Sequence, residues 1–203
     1  MLRLPIAPAA LIVAALAVSL VGCTPTPEPT PSASPSESPS ASESATPSAT
    51  PTAEPIALPD CGGIYSPALV ASLTAEGRTS IGDVSGPETG GWGTADTTLQ
   101  GILASVPERG SCTWILPATE SGSTTSIARL DAASRTAVIA ALVAGGYTAS
   151  TIPQGELYSI AVELEIGTYN ESHLLTDEFW FASYFSGGQA ESLTLDAAAL
   201  LLP

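Results

Sequence analysis

The chain has 203 residues and a formal net charge of −15, because 20 acidic side chains face only five basic ones, all arginine. Residues 56–203 carry sixteen of the acids and four of the arginines, a net charge of −12. Nucleic-acid binding depends on Lys and Arg that neutralise phosphates, so we predict no nucleic-acid partner. The absence of lysine also excludes P-loop and Schiff-base chemistry, and we predict no cofactor.

Residues 1–22 have the pattern of an export signal. Arg3 supplies a positive start, residues 9–18 form an apolar run, and small residues follow before Cys23. A positive segment, a short apolar segment and a small-residue cleavage site are typical of signal peptides. An uncleaved transmembrane helix over residues 4–22 is the alternative, although two prolines shorten it.

The sequence Leu20-Val21-Gly22-Cys23 resembles the lipobox of bacterial lipoproteins. The resemblance implies that the thiol of Cys23 carries a diacylglyceryl group and that Cys23 becomes the mature N-terminus. The protein would then be anchored by that lipid in the bilayer, on the extracytoplasmic face of the cell membrane.

Cys23 and residues 24–55 form a predicted linker. The 32 residues after Cys23 are nine Pro, eight Ser, six Thr, five Ala and four Glu, with no apolar side chain larger than Ala. Such a segment has no surface whose burial could offset the entropy of ordering the chain. We therefore predict a disordered spacer, followed by a single globular domain over residues 56–203.

The first half of that domain predicts two helices and two strands. Ser66 and Pro67 begin a helix that ends at Gly77, as N-cap Ser and first-turn Pro predict. Residues 78–95 resemble a long glycine-rich loop. A second helix is predicted over 94–105, with strands over 112–116 and 123–130.

The second half predicts two more helices and two more strands. Asp131 caps a helix over 132–144, which two glycines end. Residues 158–166 alternate as a half-buried strand, and residues 179–185 are apolar on both faces, as in a central strand. A short helix over 196–202 follows. These elements predict an α+β fold, an antiparallel sheet with helices packed mainly on one face.

Two cysteines remain if Cys23 is acylated. Cys61 and Cys112 are an even pair in an oxidising compartment, so we predict one disulfide between them. Two free thiols are the alternative.

The order of these motifs resembles that of small actinobacterial surface lipoproteins. The similarity rests on the lipobox, the linker, Asp60-Cys61, Cys112-Thr113-Trp114 and Phe179-Trp180-Phe181. It implies the α+β fold and the disulfide. It implies no functional residues, because most such domains have no established activity.

Few residues suggest a site. Trp92 lies in the glycine-rich loop and is a candidate ligand contact. Glu163 and Glu165 share one predicted strand face and could bind a metal such as calcium, or could simply be solvated. His173, the single histidine, is expected on a surface loop, and no catalytic residue is predicted.

The sequence therefore predicts a non-enzymatic domain that binds an envelope protein or glycan. Paired carboxylates leave open an acid-residue hydrolase that acts on cell-wall glycan. A purely structural spacer domain is a third possibility, and it predicts no concave surface.

Overall fold

A computed structural model describes residues 56–86, 89 and 91–202. The predicted leader, lipidated Cys23 and linker lie outside the described residues. Four helices are present in the described part: Pro67–Ala75 (α1), Thr97–Ser105 (α2), Ala132–Ala144 (α3) and Ala190–Leu201 (α4). Seven strands accompany them: Thr79–Asp83 (β1), Arg109–Ile115 (β2), Gly122–Arg129 (β3), Thr148–Ile152 (β4), Gly155–Leu164 (β5), Gly167–Leu175 (β6) and Phe179–Ser186 (β7). None of these helices is long and apolar enough to cross a membrane.

The strands form one sheet in the order β1-β2-β3-β7-β6-β5-β4, and every neighbouring pair is antiparallel. The α+β class and the antiparallel sheet are confirmed. The disulfide is confirmed too: Cys61 and Cys112 are bonded, with their Cα atoms 5.4 Å apart. It ties the segment before α1 to the buried middle of β2.

The helices cover both faces of the sheet, which differs from the prediction of helices mainly on one face. Helices α1 and α4 pack on one face, and α2 and α3 on the other. The physical reason lies in β7, which presents Phe179 and Phe181 to the first face and Trp180 and Ala182 to the second. A strand that is apolar on both faces needs cover on both.

Local capping explains why the predicted helices form. Ser66 accepts a hydrogen bond from the amide of Leu69 at the start of α1, and Asp131 accepts one from Ser134 at the start of α3. Helix α4 begins at Ala190, six residues before the predicted start. Its N-cap, Gln189, makes no side-chain capping bond, so the sequence contains no local signal for that start.

Three strands were not predicted. The edge strands β1 and β4 are mostly exposed and therefore lack an apolar face. Strand β6 is buried, but its sequence Tyr169-Asn170-Glu171-Ser172-His173 is polar. Polar residues that hydrogen-bond to one another in the interior show no apolar alternation, so the sequence of this segment indicates a loop.

The sheet has two distinct ends. At one end, which we call the Ile56 end, β6 turns into β7 and Arg129 donates a hydrogen bond to the carbonyl of Ile56. At the other, the hairpin end, β5 turns into β6 through Glu165 and Ile166. Helix α4 begins near Asn170 of β6 and ends beside Phe179, at the Ile56 end.

The opposite face is covered only over the half nearer the Ile56 end. Helix α2 begins just after Ala95, and α3 ends just before Tyr147, both at the level of Glu171 on β6. Beyond that level, no helix in the described part of the chain covers β5, β6 and β7. The site lies at this boundary.

Candidate functional site, a buried glutamate network and the cavity beside it

Glu171 is the one buried carboxylate among the described residues, with 2% of its surface exposed. It accepts hydrogen bonds from the hydroxyl of Thr94 at 2.6 Å, the amide of Ala95 at 2.7 Å and the hydroxyl of Tyr147 at 2.5 Å. His173 Nε2 lies 3.3 Å from its Oε2 atom. Four donors therefore converge on one carboxylate, as a buried charge requires.

Trp180 fixes the protonation of His173. The indole Nε1 of Trp180 lies 3.2 Å from His173 Nδ1, and an indole nitrogen can only donate. Nδ1 is therefore the acceptor, and the proton of the neutral ring lies on Nε2, where it points to Glu171. We call these residues the Glu171 network: Thr94, Ala95, Tyr147, Glu171, His173 and Trp180.

The electrostatics agree with an ionised Glu171 and a neutral His173. Burial disfavours the carboxylate, but its hydrogen bonds outweigh that effect and hold the pKa of Glu171 below its ordinary value. Burial lowers the pKa of His173, against the raising effect of Glu171. Burial, together with the bond to Glu171, raises the pKa of Tyr147 and keeps its phenol protonated.

Gly93 allows the loop before α2 to reach the sheet. A Cβ atom at this position would lie 1.8 Å from the carbonyl oxygen of Ala182, and the amide of Gly93 donates to Ser126 at 2.9 Å. Only glycine fits such a close approach to a strand backbone. The contact brings Thr94 and Ala95 down to Glu171, so one residue without a side chain permits the network to form.

A cavity of about 240 Å³ opens beside the network. Its lining includes Glu171, Tyr147, Asp96, Tyr169 and Val162. We call it the Tyr147 cavity. Asp96 uses its Oδ1 atom to cap α2, through the amides of Thr98 and Leu99.

This arrangement does not provide a general acid. Glycoside hydrolysis needs one protonated carboxyl group beside a second, ionised one. Glu171 is held ionised by four donors, and these leave it little capacity to accept or deliver a proton. The carboxylate acts as a clamp that fixes the loop, Tyr147 and the sheet in one arrangement.

The residues predicted from sequence lie apart from this network. Trp92 is half-buried and packs against the core cluster that α2 and α3 form with the sheet. The guanidinium carbon of Arg109 lies 5.6 Å from its ring centre, and Trp92 does not line the cavity. Glu163 and Glu165 are exposed at the hairpin end. No cluster of three or more His, Cys, Asp or Glu side chains in the described residues could hold a metal.

His173 corrects the prediction of a surface loop. It lies on β6 and has no exposed surface. One local signal is the glycine at 167, which marks a turn directly after the predicted strand 158–166 and allows the next residues to pair back as a hairpin. The strand was missed because its buried face is polar.

The fold and the network define a class of protein, a three-layer α+β domain with an antiparallel sheet and a buried glutamate–histidine pair. No family model, curated protein or solved structure matches the chain.

Acid should destabilise the domain through His173, the only histidine of the chain. The unfolded ring takes up a proton near its ordinary pKa of 6.5, whereas the folded ring resists it. The neutral ring of His173 therefore contributes its full stabilisation of the fold above about pH 7. This contribution is lost as the pH falls, by at most about 1.4 kcal/mol per pH unit. Glu171 adds to the loss only at lower pH, because its pKa is lowered from 4.5.

Urea unfolding at a series of pH values between about 7 and 5 measures this slope. His173→Gln is the control, since its amide keeps one acceptor for Trp180 and one donor for Glu171 but cannot titrate. We expect a flat profile for the variant. The same slope in both proteins would exclude His173 as its source.

Proposed function

We propose that this chain is an extracytoplasmic lipoprotein, anchored through lipid on Cys23, whose domain binds an envelope component without catalysing a reaction. The observation that carries the binding role is the uncovered part of the sheet face beyond Glu171. There, Leu164 and Ile166 are 53% and 87% exposed beside two tyrosines. Exposed apolar surface of this kind is typical of interaction sites.

Four further features support the proposal. The leader and lipobox pattern favours export and a lipid anchor. The predicted linker joins the domain at residue 56, which leaves the hairpin end clear of the attachment point. The concave surface beside Tyr147 is not what a pure spacer requires, and the saturated Glu171 carboxylate favours binding over acid–base catalysis.

Cys23→Ala tests the anchor. We expect the unaltered protein in the membrane fraction, with lipid incorporated and the leader removed. The variant should keep the leader and incorporate no lipid. Fractionation, intact mass and labelling with a fatty acid provide the measurements.

Gly22→Ala is the matched control, because the lipobox accepts Gly or Ala before the cysteine, and it should behave as the unaltered protein. Full-length, unmodified protein in the cytosol would contradict the proposal. So would identical mass and membrane retention in the Cys23→Ala variant.

A further inference from the structure

The uncovered face at the hairpin end has an aromatic centre. Tyr169 on β6 and Tyr184 on β7 are half-buried, with ring centres 5.1 Å apart. Val162 and Leu164 extend the same face along β5, which pairs with β6. Ile166, at the turn, is the most exposed of the large apolar side chains described. We call these five residues the hairpin patch.

Two cavities flank the aromatic pair, and each contains a carboxylate. The Tyr147 cavity includes Tyr169 and Asp96. A second cavity, of about 380 Å³, includes Tyr184, Leu164, Ile166 and Glu120. The centre of the patch is therefore apolar and aromatic, whereas its margins are acidic.

Three of the four arginines of the domain lie at the opposite end of the sheet. Arg109, Arg129 and Arg135 are all at the Ile56 end, where Arg129 binds Glu108 and Glu178 and Arg135 binds Glu156. Arg78 is near the hairpin end but is buried and binds Glu76.

The hairpin end therefore has acidic groups that no described arginine neutralises. Glu120, Glu163 and Glu165 are all exposed there. Acidic side chains without an arginine partner therefore lie around the apolar patch, whereas Glu108, Glu156 and Glu178 at the Ile56 end are paired with arginines.

From this coincidence we propose that the hairpin patch docks a lysine- or arginine-bearing segment of a partner protein. The aliphatic stems of such side chains would pack on the tyrosine rings, with cation–π attraction, and their charged groups would reach Asp96 and Glu120. The inference rests on the proposed binding function and names its partner class and surface.

Hexalysine is the probe, titrated into residues 23–203 with Cys23→Ser, so that the result does not depend on the anchor. Nuclear magnetic resonance should show shifts of the Tyr169 and Tyr184 ring signals. Glu120→Lys should weaken binding about tenfold, the equivalent of about 1.4 kcal/mol. Leu164→Ser combined with Ile166→Ser should weaken it about threefold.

Asp177→Lys is the matched control, because it makes the same change in net charge at an exposed position of the Ile56 end. It should weaken binding by about twofold or less. Equal effects of the two charge reversals would overturn the proposal, since the attraction would then be that of the whole domain. Signal shifts confined to the Ile56 end would also overturn the proposal. This outcome is measured on the protein without the test substitutions, so it does not depend on the folding of any variant.

Chitohexaose, an uncharged glycan, is the second probe. If it shifts Tyr169 and Tyr184 while hexalysine does not, the patch binds sugar and the proposal fails. The proposed binding function would survive that result. Absence of binding by both probes would overturn the inference. The fractionation and labelling of the Cys23→Ala variant would still test the anchor independently.

Discussion

Glu171→Gln should lower the free energy of unfolding by about 3 kcal/mol. The buried carboxylate accepts from Thr94, Ala95, Tyr147 and His173, and its charge strengthens every one of these bonds. Glutamine retains one acceptor oxygen and replaces the other with a donor. At least one buried donor then faces another donor and loses its acceptor.

Urea unfolding followed by circular dichroism measures the loss. Glu163→Gln makes the same chemical change on an exposed side chain of β5, and its effect should stay within about 0.5 kcal/mol. Equal stability of the two variants would show that the network contributes nothing beyond the charge removed.

Removal of the disulfide should have the largest effect. Cys61 and Cys112 are 51 residues apart in sequence, and closing a loop of that length restricts the unfolded chain by about 4 kcal/mol. Cys61→Ala combined with Cys112→Ala should therefore lower the free energy of unfolding by about that amount. Alanine is chosen because Cys112 is buried, where a serine hydroxyl would need a partner.

A reducing agent supplies the control. It should destabilise the unaltered protein by a similar amount and leave the double variant unchanged. If reduction had no effect on the unaltered protein, and thiol titration of the unreduced chain found both sulfhydryls, the crosslink would be absent in solution.

The network connects stability to the proposed binding surface. Glu171 holds Tyr147 and the loop with Thr94 and Ala95, and residues of both segments line the Tyr147 cavity. A change that removes these hydrogen bonds should therefore loosen one side of the hairpin patch as well as destabilise the fold. Under the proposed function, the Glu171 network positions one side of the hairpin patch.

Elements whose signals are local can be predicted from the sequence. Asp131 and the glycines after Ala144 bound α3 because capping acts within one turn, and the alternation of 179–185 marks β7 because side chains point to opposite faces. The cysteine count predicts the pairing of Cys61 with Cys112, on the prediction that Cys23 carries lipid. Each of these inferences needs only neighbouring residues or composition.

The site depends on contacts between residues that are distant in the sequence. Thr94 and Glu171 are 77 residues apart, and they meet because Gly93 lets a loop touch β7. The placement of α2 and α3 over half of one face, and the burial of His173, likewise depend on which strands become neighbours. Buried polar groups that hydrogen-bond to each other leave no periodic apolar pattern in the sequence, so their partners can be identified only in the folded structure.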